Sequence, residues 1–369
     1  MQALILAGGE GTRLRPLTAT VPKPVVPLVD RPFIAFMLDW LRGHGIDDIV
    51  ISCGFLADGV RAVLGDGAAW GVRLRYVEEP RPLGTGGAVK YAAGQLDERF
   101  LVLNGDVLTD LDLTAQLARH AEAGARATLA LVAVADPSAY GLVRLDGDGR
   151  VLAFLEKPSA DQLARIDTNL VNAGAYVLER DVLELLPADQ PASIERDLFP
   201  RLVGDGLHGV PSTAYWLDIG TPARYLQATA DILDGAVRTA VADALDGARL
   251  AVAPDAEVAG RLVGPALVGA RARIAAGAVV TGRTVLGRDV EIAAGARVDG
   301  AVVLDGAVVG PDATVTDAII GPGARIGRHC RISGHAVVGE GAVLGADNQL
   351  AAGARLFPNV TLPDGAIKF

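Results

Sequence analysis

An aliphatic residue followed by a small or corner residue recurs at Ile320, Ile326, Ile332, Val338, Leu344, Leu350 and Leu356, always six residues apart. The same pattern runs back less regularly through Val309, Ile292, Ile274 and Val268 to about Val252. A period of six matches neither the 3.6-residue turn of an α-helix nor the simple alternation of an isolated strand. It is the spacing of a parallel β-helix, in which each flat face contributes one inward aliphatic side chain and about 18 residues complete a coil. Shorter steps, such as Val280 to Val285, mark irregular corners. The expectation is a left-handed parallel β-helix of hexapeptide repeats over 251–369, reached through a linker at 236–250. Its Val and Ile residues are core.

Residues 1–235 follow a different rule. Apolar runs at 4–7, 48–52, 73–77, 100–103 and 127–134 read as strands, and the pattern predicts helices over 34–42, 60–64, 88–96 and 113–123. A hairpin is expected over 142–155, around Asp146-Gly147-Asp148-Gly149. Thr221-Pro222 reads as an N-cap and first-turn proline opening a helix to about Leu233. Such alternation implies a Rossmann-like α/β domain with a parallel or mixed sheet covered by helices. Ligands in these sheets bind beyond the carboxyl ends of the strands. The glycine-rich turn after Ala7, the loop from Glu79 to Gly87, and Asp106 all fall at such ends.

The composition narrows the partners. A chain of 369 residues with 50% hydrophobic and 21% charged residues is of globular type and long enough for two domains. No apolar run approaches the length of a membrane span, and no secretory signal is visible at the N-terminus. The two cysteines, Cys53 and Cys330, lie in different expected domains, which suits a reducing cytoplasm. A net charge of −10 argues against nucleic-acid or membrane-surface partners. It leaves room for a few basic residues gathered on a small anion.

Those residues follow the first strand. Gly8, Gly9 and Gly11 allow a sharp turn with close approach to a ligand, and aligned amides in such a turn bind anions. Arg13 and Arg15 add fixed positive charge. Ten residues after Arg13, Lys23 stands between Pro22 and Pro24, which restrict the backbone to an extended segment. The loop lacks both the Gly-x-Gly-x-x-Gly spacing and a terminal Gly-Lys-Ser/Thr, so dinucleotide-binding and P-loop readings fade.

Gly8-Gly9-Glu10-Gly11-Thr12-Arg13-Leu14-Arg15-Pro16-Leu17-Thr18 together with Pro22-Lys23-Pro24 resembles the signature of sugar-1-phosphate nucleotidylyltransferases. The resemblance continues through Leu83-Gly84-Thr85-Gly86-Gly87, Asn104-Gly105-Asp106, Tyr140-Gly141, Glu156-Lys157-Pro158, Asn172-Ala173-Gly174, Trp216-Leu217-Asp218-Ile219-Gly220 and the appended β-helix. It implies a catalytic domain over 1–235 that joins a nucleoside triphosphate to a sugar 1-phosphate and releases pyrophosphate. Positioning and charge neutralisation then carry the catalysis.

The resemblance implies Arg13 and Lys23 as catalytic groups on the triphosphate and the α-phosphate. It implies nucleotide contacts from Leu6, Ala7, Gly8, Gly9, Gly11, Thr12, Gly84, Thr85 and Asp106. Sugar-phosphate contacts fall to Gly141, Glu156, Lys157, Asn172 and Trp216. Asp106 and Asp218 would hold Mg2+, an ion that keeps much of its coordination for water and phosphate. The lack of a His/Cys cluster argues against zinc.

Lys23-Pro24 stands where thymidylyltransferases usually carry Lys-Gln, and Leu83-Gly84-Thr85-Gly86-Gly87 and Ser193-Ile194-Glu195-Arg196-Asp197-Leu198-Phe199-Pro200 resemble mannose-1-phosphate guanylyltransferases. GTP and mannose 1-phosphate are therefore the expected substrates. Thymidylyl, uridylyl or adenylyl transfer to glucose 1-phosphate or another hexose, heptose or cyclitol phosphate remains open. Two rivals stand beside this: a β-helix that is also an acyltransferase using His329 or His335, and a non-catalytic subunit that senses nucleotide-sugar. Related enzymes oligomerise through such β-helices, so a homo-oligomer is expected.

Overall fold

The computed structural model describes residues 1–54 and 56–368; the last residue of the expected 251–369 domain lies outside them. By packing, the chain forms two compact units. One joins Met1–Glu10 to Ile34–Trp216, and the other joins Gly11–Phe33 to the chain from Leu217 onward.

The first unit is built on a nine-stranded mixed sheet. Its elements are β1 (Gln2–Ala7), α1 (Phe33–Gly43, whose first residue belongs to the other unit), β2 (Asp48–Cys53), α2 (Ala57–Leu64) and β3 (Arg73–Glu78). They continue with α3 (Gly84–Ala92), β4 (Arg99–Asn104), α4 (Leu113–Ala123), β5 (Ala127–Ala133), β6 (Gly141–Leu145), β7 (Val151–Glu156), β8 (Leu170–Glu179) and β9 (Leu207–Ser212). β1 lies between β2 and β4, parallel to both, and β2 pairs in parallel with β3. β8 runs antiparallel to β4, β5 and β6, and β6 forms the expected hairpin with β7. Central strands are covered on both faces, so they read as continuous apolar runs: Ala3, Leu4 and Ile5 in β1 and Leu101 and Val102 in β4 are fully buried. Leu4, Val102, Leu129, Tyr176 and Phe199 belong to one core.

The second unit holds the segment from Gly11, a helix α5 (Pro222–Asp234) and the β-helix. Thr221 caps α5 as expected, its hydroxyl accepting from the Arg224 amide. Three parallel sheets of seven, seven and six strands form the β-helix faces. Ile320 pairs with Val338 and Val338 with Leu356, so one coil takes eighteen residues as the period requires. A second inward position, two residues before each aliphatic one, holds a small side chain at the turn: Ala278, Ala296, Ala324, Ala336 and Ala342 are all buried. Cys330 and Asn348 occupy that slot before Ile332 and Leu350. Asn348 satisfies its amide there, donating to Gly345 and Pro363 carbonyls and accepting from the Ile367 amide. His329 and His335 are exposed corner residues with left-handed backbone. No helix among the described residues is long and apolar enough to cross a membrane.

Candidate active site

In the first unit the glycine turn leaves the carboxyl end of β1 between β2 and β4. A Cβ on Gly8 would lie 3.0 Å from Glu79 Oε1 and 3.6 Å from the Gly54 amide nitrogen. Glu79 braces this edge: Oε1 accepts from the Ser52 hydroxyl at 3.0 Å and Oε2 from the Leu83 amide at 3.0 Å. On the other side the Gly105 amide donates to the Leu6 carbonyl at 2.9 Å. A Cβ at Gly105 would come within 2.5 Å of that oxygen, so only glycine brings the half-buried Asp106 this close behind β1. Space around Gly9 is open, with nothing within 4 Å of a Cβ there.

The second glycine run is placed differently from expectation. Gly84 to Gly87 form the first turn of α3, so the helix starts four residues before the predicted Ala88. Apolar periodicity is blind to a turn made of glycines. Packing explains them: at Gly84 (φ 70°) a Cβ would meet the Ala192 carbonyl oxygen at 2.6 Å, and the Gly86 and Gly87 amides both donate to that oxygen. The Thr85 hydroxyl donates to Glu195 Oε2 at 2.8 Å and accepts from the Ile194 amide at 2.9 Å. This loop is thus clamped to 192–195.

Glu156 ends β7, half-buried, and its Oε2 would lie 3.0 Å from a Cβ on Gly141. Burial, then the neighbouring Glu195, pushes its carboxyl above the ordinary range, against the opposing pull of Lys157 and Arg196. Among the described residues it has no hydrogen-bond donor, so its oxygens are available to hydroxyls. Lys157 is exposed, with left-handed backbone (φ 49°) and its amide on the Tyr140 carbonyl. Asn172 is already engaged: Nδ2 donates to the Tyr176 hydroxyl at 2.8 Å and Oδ1 accepts from the Gly174 amide at 3.0 Å. Trp216 donates from Nε1 to the Ala173 carbonyl and meets Tyr140 edge to face at 5.2 Å. Its anchoring to this wall is structural.

The second unit carries Arg13, Lys23 and Asp218. Gly11 (φ 61°) begins a 3-10 turn at Thr12–Leu14, with its carbonyl accepting from the buried Thr18 hydroxyl at 2.7 Å. A Cβ at Gly11 would lie 3.2 Å from Lys23 Cβ, so the glycine turn and the proline-flanked lysine pack together as the motif suggests. The local conformation differs from the expected extended segment. Only Pro22 is extended, and Lys23–Val25 form a 3-10 turn with Pro24 in its first positions, where a missing amide costs nothing. The Lys23 stem lines an apolar pocket with Leu14, Val26, Leu28, Phe33, Ile219 and Tyr225. The Arg13 guanidinium lies over Gly220, where a Cβ would stand 2.8 Å from Nη2 and 3.3 Å from Asp218 Oδ2. The structure therefore brings Arg13 and Asp218 together, and Arg224 lies 3.4 Å from the Asp218 carboxylate.

Of the expected residues, Leu6, Ala7, Gly8, Gly9, Gly84, Thr85, Asp106, Gly141, Glu156, Lys157, Asn172 and Trp216 belong to the first unit. Gly11, Thr12, Arg13, Lys23 and Asp218 belong to the second. Sequence reasoning gave no role to Glu79, Glu195 or Gly220. Glu195 and Gly220 lie inside motifs read only as family marks, and a carboxylate just past β3 was a signal for Glu79. Among the described residues no group of three or more His, Cys, Asp and Glu side chains is assembled for a metal. Asp106 in the first unit and Asp218 in the second each offer a hard carboxylate oxygen, the donor chemistry that Mg2+ prefers.

Comparison with known proteins places this arrangement. The nucleotidyl transferase family model matches residues 2–235, and the GMPPB C-terminal domain model matches 262–366. A mannose-1-phosphate guanylyltransferase of Mycobacterium tuberculosis is 42% identical over 376 residues, covering 100% of this chain and 98% of the relative. A UTP–glucose-1-phosphate uridylyltransferase of Synechocystis is 34% identical, covering 87% of each. The crystal structure of HddC from Yersinia pseudotuberculosis superposes with a TM-score of 0.54 at 30% identity, over 62% of this chain and 97% of that one. With the glycine turn, Arg13, Lys23 and the strand-end aspartate in place, the chain belongs to the nucleotidyl transferase family, among its sugar-1-phosphate nucleotidylyltransferases.

Proposed function

We propose that this protein transfers the guanylyl group of GTP to mannose 1-phosphate, giving GDP-mannose and pyrophosphate. The observation that carries this reading is the convergence of Arg13 and Asp218 on Gly220, with Lys23 packed on Gly11. Two anions must meet, and fixed cations on a rigid turn lower the cost of bringing them together. An oxygen of the sugar phosphate attacks the α-phosphorus in line, the bond to the β-phosphate oxygen breaks, and pyrophosphate leaves with the electron pair. Backbone amides of Gly8, Gly9, Gly11 and Thr12 hold the phosphates, Arg13 takes the charge growing on the leaving pyrophosphate, and Lys23 holds the α-phosphate. Leu6, Ala7 and Gly84 border the base, with Thr85 fixing the wall behind it. Gly141 leaves room for the sugar, Glu156 accepts hydrogen bonds from its hydroxyls, Lys157 binds its phosphate, and Asn172 and Trp216 support that wall. Asp106 and Asp218 would hold Mg2+, whose contribution when bound is neutralisation of phosphate charge.

Residues 1–235 are proposed as the catalytic domain, 236–250 as the linker and 251–369 as the β-helix through which copies assemble in the cytoplasm. Guanylyl transfer is favoured by the full-length 42% relative over the uridylyltransferase at 34%, and uridylyl transfer to glucose 1-phosphate is the second reading. Pyrophosphate release, measured with each nucleoside triphosphate against mannose and glucose 1-phosphates with and without Mg2+, tests both. Arg13→Ala and Lys23→Ala are expected to lose turnover while keeping the fold. Near-wild-type rates in either variant would sink the mechanism.

A further inference from the structure

The last strand of the first β-helix face, Arg355–Leu356, does more than close a coil. Leu356 points into the β-helix core, paired in register with Val338, so the backbone at Arg355 is fixed by the repeat. Its neighbour's guanidinium donates from Nη1 to the Arg13 carbonyl at 2.7 Å and to the Arg15 carbonyl as well. These carbonyls belong to the phosphate-loop turn, Thr12–Leu14 and its C-cap. A second tether lies beside it: the Thr20 hydroxyl donates to Glu340 Oε2 at 3.1 Å. Arg355 has no carboxylate partner among the described residues, unlike Arg271 and Arg288 on earlier coils, which pair with Asp289 and Asp305.

We propose that Arg355 is a positioning residue for nucleotidyl transfer, its guanidinium setting the backbone of the turn that carries Arg13. The inference rests on the functional reading above, in which Arg13 holds the triphosphate. The mechanism is geometric. A charged donor shared by two carbonyls is stronger than a neutral hydrogen bond and holds both to one centre. The Arg13 side chain is aimed by that backbone, and a small misplacement of a phosphate ligand is expensive in rate. The β-helix thereby becomes part of the catalytic apparatus rather than an appendage.

Full-length wild type, Arg355→Ala and Arg355→Lys are compared by pyrophosphate release, varying GTP and mannose 1-phosphate in turn. In Arg355→Ala, kcat/KM for the nucleotide is expected to fall roughly tenfold or more while KM for the sugar phosphate stays within about twofold. The melting temperature stays at the wild-type value, Arg355→Lys recovers part of the loss, and amide exchange over residues 12–17 quickens while that over 320–350 does not. Wild-type kinetics in Arg355→Ala overturn the inference, as does a loss that follows a lowered melting temperature or that lysine does not relieve. A wild-type protein that releases no pyrophosphate with any nucleotide overturns the functional reading, and this inference with it. An active wild type indifferent to Arg355 overturns only the inference.

Discussion

The Arg13 guanidinium rests against the Cα of Gly220, with a Cβ there standing 2.8 Å from Nη2. The atom in the way is the end of a flexible side chain, so Gly220→Ala is expected to fold normally and push Arg13 aside. Pyrophosphate release should fall by about tenfold or more at an unchanged melting temperature. Full activity in the alanine variant would show that Arg13 works from another position.

Thr85 offers the opposite separation. Its hydroxyl is committed to Glu195 and the Ile194 amide, so Thr85→Val leaves the Ile194 amide without this acceptor and Glu195 Oε2 with the Ser193 hydroxyl alone. Stability is expected to drop by about 1–3 kcal/mol, read by thermal or urea unfolding, with KM for the nucleotide within about twofold. A large KM change at constant stability would make Thr85 a direct nucleotide contact instead.

Glu156 predicts a pH dependence whose sign is fixed. Its carboxyl is raised above 4.5 by burial and Glu195, so the folded state holds the proton more tightly than the unfolded one. That contribution is present at low pH and disappears as pH rises through the raised value. Glu156→Gln should therefore raise the melting temperature at neutral pH, with the gain shrinking to nothing in acid, while sugar-phosphate turnover falls. A variant less stable than wild type at neutral pH would contradict the assignment of cause.

Both cysteines are unpaired and buried, and burial pushes the Cys53 thiol up to about 11. Neither should react with a thiol reagent in the native protein, and both should react on unfolding. Cys330 fills a slot that alanine fills on the preceding coils of its face, as at Ala296 and Ala313, so Cys330→Ala is expected to cost less than about 1 kcal/mol. Rapid labelling of the folded protein would refute the burial.

The β-helix was readable because its rule is one-dimensional: a six-residue period fixes which side chain points inward, and Ile320 through Leu356 obey it. Strand positions in the α/β part were legible for the same reason, since fully buried parallel strands are uninterrupted apolar runs. The helix start at Gly84 and the 3-10 turn at Lys23 were not, because glycine and proline constrain a backbone without saying which of several compact turns it takes. In the site, Arg13, Lys23 and Asp218 stood out as charges in a spaced motif. Arg355 did not: it occupies the same outward position before an aliphatic residue as Arg273, Arg325 and Arg331, and only the folded chain distinguishes it. The alanine slot behind each aliphatic residue was likewise hidden, being a matter of the volume left at a corner.

The hydrogen bond from Arg355 to the Arg13 carbonyl spans 342 residues of sequence. A contact of such long range is costly in loop-closure entropy and slow to form. The turn that carries Arg13 therefore takes its brace from a distant repeat, and the brace exists only when the coil that holds Arg355 is folded. The geometry of that turn is thus not a local property of the residues that form it.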